Sequence, residues 1–415
     1  MKEKSHGFLS KYGMLFSEIN IRKNIDLFIS EMNKGLAGNT SSLKMLPTYI
    51  EFGRKSDRLK PVIVMDAGGT YLRSAVVNFN KNSVPVISKV TKSIMPGVRN
   101  PSTKEEFFNA IFNNVKKVLN ESDRIGFVFS YPIEIMPDMD GRLIKFTKEV
   151  RAPEVEGEKI GANLLAVMRN NGFLSNRKIV LLNDTVALLL SGTLAFASRK
   201  YAGYIGFVLG TGMNACYVEK NSNIKTLSGK NCAPDGLQLI NIEAGNFSKG
   251  PAGKIDELYN KRTLDPLAAR LEKLFSGAYL GGLALELLKT AAGEGMFSDR
   301  ICSLFDKLQK LESREIDSYL NYPPADSIFK DFLDAMTEED KVLIYFLLDA
   351  LIERAAVISA IVIASAILKS GSGCSPCEPV CVIAEGSSFY NMKNFKSRLD
   401  CYLNNALNIR GQHYF

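Results

Sequence analysis

A chain of 415 residues exceeds the ~250 to 300 at which a single core divides, so two domains or lobes are expected. Its 46% hydrophobic and 23% charged residues exclude a disordered or fibrous protein. The 52 basic residues against 44 acidic leave +8, but Lys and Arg are scattered rather than gathered into a stripe with interleaved aromatics, which favours small anionic ligands over nucleic acid.

In chain order, the N-terminal "MKEKSHGFLSKYGMLF" alternates polar and apolar residues and lacks the continuous apolar region of a signal peptide. Residues 1–57 carry helix-period apolar positions, in "NIDLFISEMNKGL" and again in "LKMLPTYI", and predict a helical preface. Short β-branched and aromatic runs bounded by Gly, Pro or Asn predict strands at 60–80, 124–132, 177–183 and 204–219, interleaved with helical stretches such as 104–119. An α/β arrangement follows. Residues 251–370 read as mostly helical, including "DPLAARLEKLFSGAYLGGLALELLK". The longest apolar run, at 355–368, is shorter than the ~20 residues of a membrane span and predicts a buried helix in a cytosolic protein rather than a membrane partner. "GCSPCEPVC" places Cys374, Cys377 and Cys381 together, but no fourth ligand is evident nearby, so reduced thiols and no metal are expected there. A strand at 379–388, a helix around "NFKSRLDCYLNNAL" and a terminal strand "QHYF" close the chain.

Three stretches carry chemistry. "VIVMDAGGTYLRSAVVNF" breaks at Asp66 and turns through Gly68 and Gly69, which bring backbone N–H groups close to an oxyanion; Asp66 can hold water on a magnesium ion, and Thr70 and Arg73 can face phosphate. It lacks the Lys-Ser/Thr of a P-loop and the helix of a dinucleotide fingerprint, and alone it is equally an ordinary hairpin. Gly210, Thr211 and Gly212 repeat the same strand–turn–strand pattern, so two such turns can clamp a polyphosphate from both sides. Asp184, at the end of "IVLLND", is either a helix cap or a general base fixed at a strand end.

The ordered set Asp66-x-Gly-Gly-Thr-x-x-Arg73, Ser130-Tyr131-Pro132, Thr147-Lys148, Asn183-Asp184-Thr185, "GTGMNACYVE" and Asn241-Ile242-Glu243 resembles hexokinases and glucokinases, and "LEKLFSGAYLGGL" and "EGSSFY" extend the resemblance over residues 60–400. The resemblance implies a two-lobed actin-like ATPase fold of the ribonuclease H-like kind, with a small and a large domain around a central cleft. In these terms 1–57 is a helical segment packing on the large domain, 58–183 the small domain and 184–415 the large one.

It also implies transfer of the γ-phosphoryl group of Mg·ATP to the 6-hydroxyl of glucose or a related hexose. Asp66, Gly68, Gly69, Thr70 and Arg73 match the first phosphate segment, with Asp66 reaching Mg²⁺ through water. Gly210, Thr211 and Gly212 match the second, and Gly386 and Ser387 match the segment beside adenosine. Ser130, Thr147, Lys148, Asn183, Asp184, Asn214, Glu243 and Glu272 match the sugar-holding residues, with Asp184 the base and Lys148 able to neutralise the moving phosphoryl charge. Sugar-induced closure of the lobes would exclude water.

The sequence departs from the family pattern at Tyr71, where Asn is usual, at Phe146, where Trp is usual, and at Glu149-Val150 in place of Gly-Phe. Family chains continue past a strand like "GQHYF" into a glycine-bearing turn and a final helix, whereas this sequence stops at Phe415. Either the fold is completed in a shortened way or the chain is a truncated product. The alternative to an active kinase is therefore a catalytically weak or inactive hexose sensor of the same fold.

Overall fold

A computed structural model describes residues 1–53, 60–81, 84–146, 150–173, 176–195, 199–227, 232–324, 327–408 and 410–415. The strands among them are β1 Leu46–Glu51, β2 Val62–Ala67, β3 Tyr71–Phe79, β4 Pro85–Ile94, β5 Arg124–Phe129, β6 Ile133–Ile135, β7 Gly141–Leu143, β8 Lys178–Leu182, β9 Gly203–Leu209, β10 Met213–Lys220, β11 Leu237–Asn241 and β12 Val380–Glu385. They form two five-stranded sheets, ordered β4-β3-β2-β5-β8 and β1-β11-β10-β9-β12, and the small hairpin β6-β7. Each large sheet is mixed in the same way. A glycine-bearing antiparallel hairpin, β2–β3 or β9–β10, is joined on one side by parallel neighbours: β5 and then β8 in one sheet, β12 in the other.

The chain divides into two compact units. The first comprises Met1–Met45, Gly192–Tyr217 and Ile242–Phe415; the second comprises Leu46–Ser191 and Val218–Asn241. β1 pairs antiparallel with β11, and both belong to the second unit.

In the second unit, helix Lys104–Val115 covers one face of its sheet. Thr103 starts it: its hydroxyl accepts the Glu106 N–H at 3.3 Å while Glu106 accepts the Thr103 N–H at 2.9 Å, a reciprocal cap. Helical spacing then aligns Phe107, Phe108, Ile111 and Phe112 against Ile63, Met65, Leu72 and Phe127, all buried. Because strand side chains alternate, burying Ile63, Met65 and Ala67 turns Asp66 to the opposite face of β2.

In the first unit, helix Glu338–Ser370 is apolar on nearly every side. It begins at a Thr337–Asp340 capping box and ends at Gly371 with φ 66°. It spans the 338–368 stretch, which reads as helical, and ends two residues later; although its longest uninterrupted apolar run is short, the 33-residue helix is long and apolar enough to cross a membrane, and 89% of its most apolar window is buried within the fold. Arg354, 1% exposed, meets Asp256 with Nη1–Oδ1 at 3.0 Å and Nη2–Oδ2 at 2.5 Å.

Two expected helices take other forms. "LKMLPTYI" runs into β1, since Met45 and Tyr49 have φ of 48° and 57° and Pro47 lacks an N–H, all incompatible with a helix. Of "DPLAARLEKLFSGAYLGGLALELLK", only residues from Leu280 form a regular α-helix. Pro266 and Ala269, with φ 51°, break the earlier part, leaving a single 3₁₀ turn at Glu272–Leu274. At the C-terminus, His413 and Phe415 carbonyls accept N–H bonds from Val380 and Val382, both at 2.9 Å, so the "QHYF" segment lies along β12.

Candidate active site

The second unit delivers its polar residues at the ends of three parallel strands. Asp66 lies opposite Val128, and Val128 opposite Leu182. Ser130 and Asn183–Asp184 therefore leave β5 and β8 at the same sheet edge as Asp66, where open α/β sheets place their ligands. The Ser130 N–H donates to the Ala67 carbonyl at 3.0 Å, and the Tyr131 hydroxyl donates to the Gly68 carbonyl at 2.7 Å, tying the Ser130 loop to the glycine turn. Burial pushes the Tyr131 phenol well above its ordinary value, and the Asp66 charge adds to this, so Tyr131 serves as a neutral donor.

In the turn, the Gly68 N–H donates to the Tyr71 carbonyl at 3.0 Å and the Met95 N–H to the Thr70 carbonyl at 2.9 Å. Gly69 is half-buried and Thr70 exposed. Asp66 Oδ2 pairs with Arg73 Nη1 at 2.7 Å.

The capping question at Asp184 has a local answer. Asn183 precedes the helix that starts at Asp184, and its Oδ1 accepts the Thr185 N–H at 2.9 Å, so Asn183 caps. Asp184 Oδ1 accepts the same N–H at 2.7 Å and the Thr185 hydroxyl at 3.2 Å. Its Oδ2 has no hydrogen bond among the described residues. Asp184 is held by one oxygen and offers the other.

Thr147 and Lys148 lie outside the described residues. Beside them, Phe146 is buried, with its ring centroid 5.1 Å from Tyr131 in an edge-on contact and 5.5 Å from Phe107. An aromatic ring thus fills this position although it is not Trp.

The first unit assembles its residues around the β9–β10 turn. The Gly210 N–H donates to the Gly212 carbonyl at 2.9 Å, and the Gly277 and Ala278 N–H groups donate to the carbonyls of Gly210 and Thr211 at 2.8 and 2.9 Å. The Ser388 hydroxyl also donates to the Gly210 carbonyl, at 3.0 Å. Because β12 is parallel to β9, Gly386 and Ser387 emerge beside this turn. Gly386 has φ 125°, and a Cβ on it would lie 2.1 Å from the Leu209 carbonyl oxygen, so the contact requires glycine.

Asn214, Glu243 and Glu272 belong to one network. Asn214 Oδ1 accepts the N–H groups of Ala215 and Ala244 at 2.8 and 3.1 Å. Glu272 Oε2 accepts the Met213 N–H at 2.7 Å, and the Leu271 N–H donates to the Gly245 carbonyl at 3.0 Å. Glu243 has φ 57°, a left-handed backbone costing of order 1 to 3 kcal/mol, which these bonds hold in place.

Tyr131 within the second unit, and Gly245, Gly277 and Ser388 within the first, hold these residues in place; Tyr131, Gly277 and Ser388 stand in the quoted motifs, but no role was assigned to them there. Of the thiols, Cys374 and Cys377 are exposed while Cys381 is buried in β12 and pushed up to about 11 by that burial. Among the described residues no group of three or more His, Cys, Asp or Glu converges as metal ligands.

Two family models, each described as Hexokinase, match residues 204–414 and 12–194. Hexokinase-1 of Schizosaccharomyces pombe is 28% identical over 393 residues, 90% of this chain and 79% of that protein. Hexokinase-3 of Mus musculus is 28% identical over 367 residues, 81% of this chain but only 37% of that longer protein. Among solved structures, a hexokinase from Schistosoma mansoni complexed with glucose matches with a TM-score of 0.78 at 21% identity, covering 100% of this chain and 95% of that one. A second hexokinase structure matches at 0.76 and 19% identity, with the same coverage. At these identities the two structures show the fold, an α/β hexokinase-like architecture over the whole chain.

Proposed function

Because the chain belongs to the hexokinase family, we propose that it transfers the γ-phosphoryl group of Mg·ATP to the 6-hydroxyl of glucose or a related hexose. The observation that carries this reading is the alignment of Asp66, Ser130 and Asn183–Asp184 at the ends of three neighbouring parallel strands. On this reading the phosphate turn, a hydroxyl for the sugar and the base each follow directly on the end of a strand.

Asp184 Oδ2 takes the proton of the 6-hydroxyl as that oxygen bonds to the γ-phosphorus and the bond to the β,γ-bridging oxygen breaks, releasing ADP. The Thr185 bonds to Oδ1 set the carboxylate's orientation. Asn183, Asn214, Glu243 and Glu272, with Ser130 and Thr147, pair the remaining sugar hydroxyls, so a sugar lacking one leaves a buried group unpaired and is rejected. Lys148 offsets charge on the moving phosphoryl group.

Asp66 fits a magnesium role: it is a partly exposed carboxylate beside the Gly68–Gly69 turn, and Mg²⁺ takes one or two carboxylates plus water and phosphate oxygens. The ion, when bound with ATP, neutralises phosphate charge. Sugar-induced lobe closure, on this reading, precedes transfer and keeps water from acting as the nucleophile.

The test is glucose-dependent ADP formation with Mg·ATP, measured for the wild type and Asp184→Ala. The expected result is turnover by the wild type and a fall in kcat of roughly 10²- to 10⁴-fold in the variant. Equal turnover would remove Asp184 as base. Glucose binding by a wild type that forms no ADP would make the chain a hexose sensor.

A further inference from the structure

Lys273 is a buried cation to which the phosphoryl transfer gives no part. It follows Glu272 in the 3₁₀ turn Glu272–Leu274 and is 4% exposed. Its ammonium donates to Asn260 Oδ1 at 3.0 Å, to the Thr263 hydroxyl at 2.9 Å and to the Asp265 carbonyl. All three of its N–H groups are thus engaged by neutral acceptors. Burial lowers the pKa of this group, and an apolar side chain such as Met would fill the same space without desolvating a charge. Packing alone does not explain an ammonium here.

The loop that Lys273 holds does. Residues 263–268 join helix Lys254–Lys261 to the turn of Glu272, and both leucines of the loop, Leu264 and Leu267, are exposed, so neither pins it to the core. Its fastenings are polar: the Lys273 ammonium, and Asn260 Nδ2, which donates to the Pro266 carbonyl at 2.9 Å. The loop runs into Ala269, whose φ of 51° is left-handed and persists only where the surroundings over-determine it. The Ala269 carbonyl accepts the Lys273 N–H at 3.0 Å, and the Ala269 N–H donates to Asn246 Oδ1 at 3.3 Å. Lys273 therefore closes this turn through both its backbone and its ammonium. Glu272 within it has little freedom, since a Cβ on Gly245 would already stand 3.2 Å from the Glu272 Cβ. A small shift of the turn moves the carboxylate away from the Met213 N–H that orients it.

We propose that Lys273 is a positioning residue for hexose binding: by tying loop 263–268 and helix Lys254–Lys261 to the turn of Glu272, it sets where the Glu272 carboxylate meets the sugar. The proposal rests on the reading of Glu272 as a sugar-holding residue. The test measures glucose and MgADP binding directly, together with initial rates, for the wild type, Lys273→Met, Thr263→Val, Glu272→Gln, the double variant Glu272→Gln with Lys273→Met, and Ile301→Ala, a truncation of a fully buried residue on helix Asp299–Lys307. Lys273→Met is expected to weaken glucose about tenfold in Kd and KM, as for a lost hydrogen bond to a charged group, while MgADP affinity and kcat stay within about threefold. Thr263→Val, which removes one acceptor and disturbs the core less, should weaken glucose about threefold. In the Glu272→Gln background Lys273→Met should add less than about twofold, because two residues acting through one contact do not add. Ile301→Ala should lower stability and leave glucose affinity as it is.

Unchanged glucose affinity in Lys273→Met, or in Thr263→Val if Lys273→Met does not fold, overturns the proposal. So does a parallel loss of MgADP binding, full additivity with Glu272→Gln, or a glucose defect in Ile301→Ala equal to that of Lys273→Met, each the mark of a merely structural role. A wild type that binds no glucose overturns the kinase reading and this proposal with it; a wild type that binds and phosphorylates glucose while Lys273→Met matches its KM overturns this proposal alone.

Discussion

Gly212 has no room for a side chain. A Cβ there would lie 2.5 Å from Glu272 Oε2 and 3.2 Å from its carboxyl carbon, while that same oxygen accepts the Met213 N–H at 2.7 Å. Gly212→Ala therefore pushes Glu272 out of its place without touching its charge. If Glu272 holds a sugar hydroxyl, KM for the hexose should rise tenfold or more, at the ~1.5 to 3 kcal/mol of a hydrogen bond to a charged group. The substitution sits in the proposed phosphate turn, yet its main effect is expected on the sugar, and steady-state rates with each substrate varied in turn separate the two. An effect confined to ATP would deny Glu272 that role. At this scale the sequence showed which residues to watch but not how they are held. Residue type and order nominated Asp184, Asn214, Glu243 and Glu272; that Asn183 rather than Asp184 caps the helix rests on a bond to Thr185 two residues on, and the left-handed backbone of Glu243 is flanked by the bond of Ala244 to Asn214, 30 residues away.

Elements with a strong period or strong punctuation were legible. The glycine hairpins were read in place, as were the helix starting at Lys104, read over 104–119 and ending at Val115, and helix Phe395–Asn408. Those that failed were short apolar stretches where two periods fit equally well. "LKMLPTYI" presents apolar residues at helical spacing, but Pro47 and pairing with β11 decide for a strand. The 265–279 stretch has helical composition, but backbone breaks keep Glu272 off a regular helix and within reach of Met213. Helix Glu338–Ser370 was legible as buried, though nothing in the sequence marked the partner of its buried Arg354. Arg354 is fully buried with Asp256, and its Nη2 also donates to the Pro251 carbonyl at 2.7 Å. Removing one member of such a pair strands the other in the core, so Arg354→Leu should cost about 3 to 5 kcal/mol in denaturant unfolding, and Arg354→Leu combined with Asp256→Leu should recover part of it. A double variant no more stable than the single would show that the pair is not the energetic unit.

On the scale of the molecule, one carboxylate that joins distant parts of the first unit contributes to acid stability. Glu31, on helix Ile21–Leu36, is 4% exposed. It accepts from Lys34 and Lys249 at 2.9 Å each and from the Ser41 hydroxyl and Ser42 N–H at 3.0 and 3.1 Å. Burial alone would raise its pKa, but the bonds from Lys249, Lys34, Ser42 and Ser41 together outweigh burial and bring it down to about 2 from 4.5. The folded value lies below the unfolded one, so folding binds fewer protons at this group. Its contribution is complete above pH 4.5, falls as pH drops through that window and is gone below about 2. At ~1.4 kcal/mol per pKa unit the shift corresponds to about 3 kcal/mol, an upper figure for a group with two partly exposed partners. Glu31→Gln should destabilise the first unit near neutral pH by up to this amount, yet the gap to the wild type should narrow steadily between pH 4.5 and 2. Unfolding midpoints across that range measure it directly. A gap that stays constant with pH would mean that the cost of the substitution is lost packing around helix Ile21–Leu36, not lost charge.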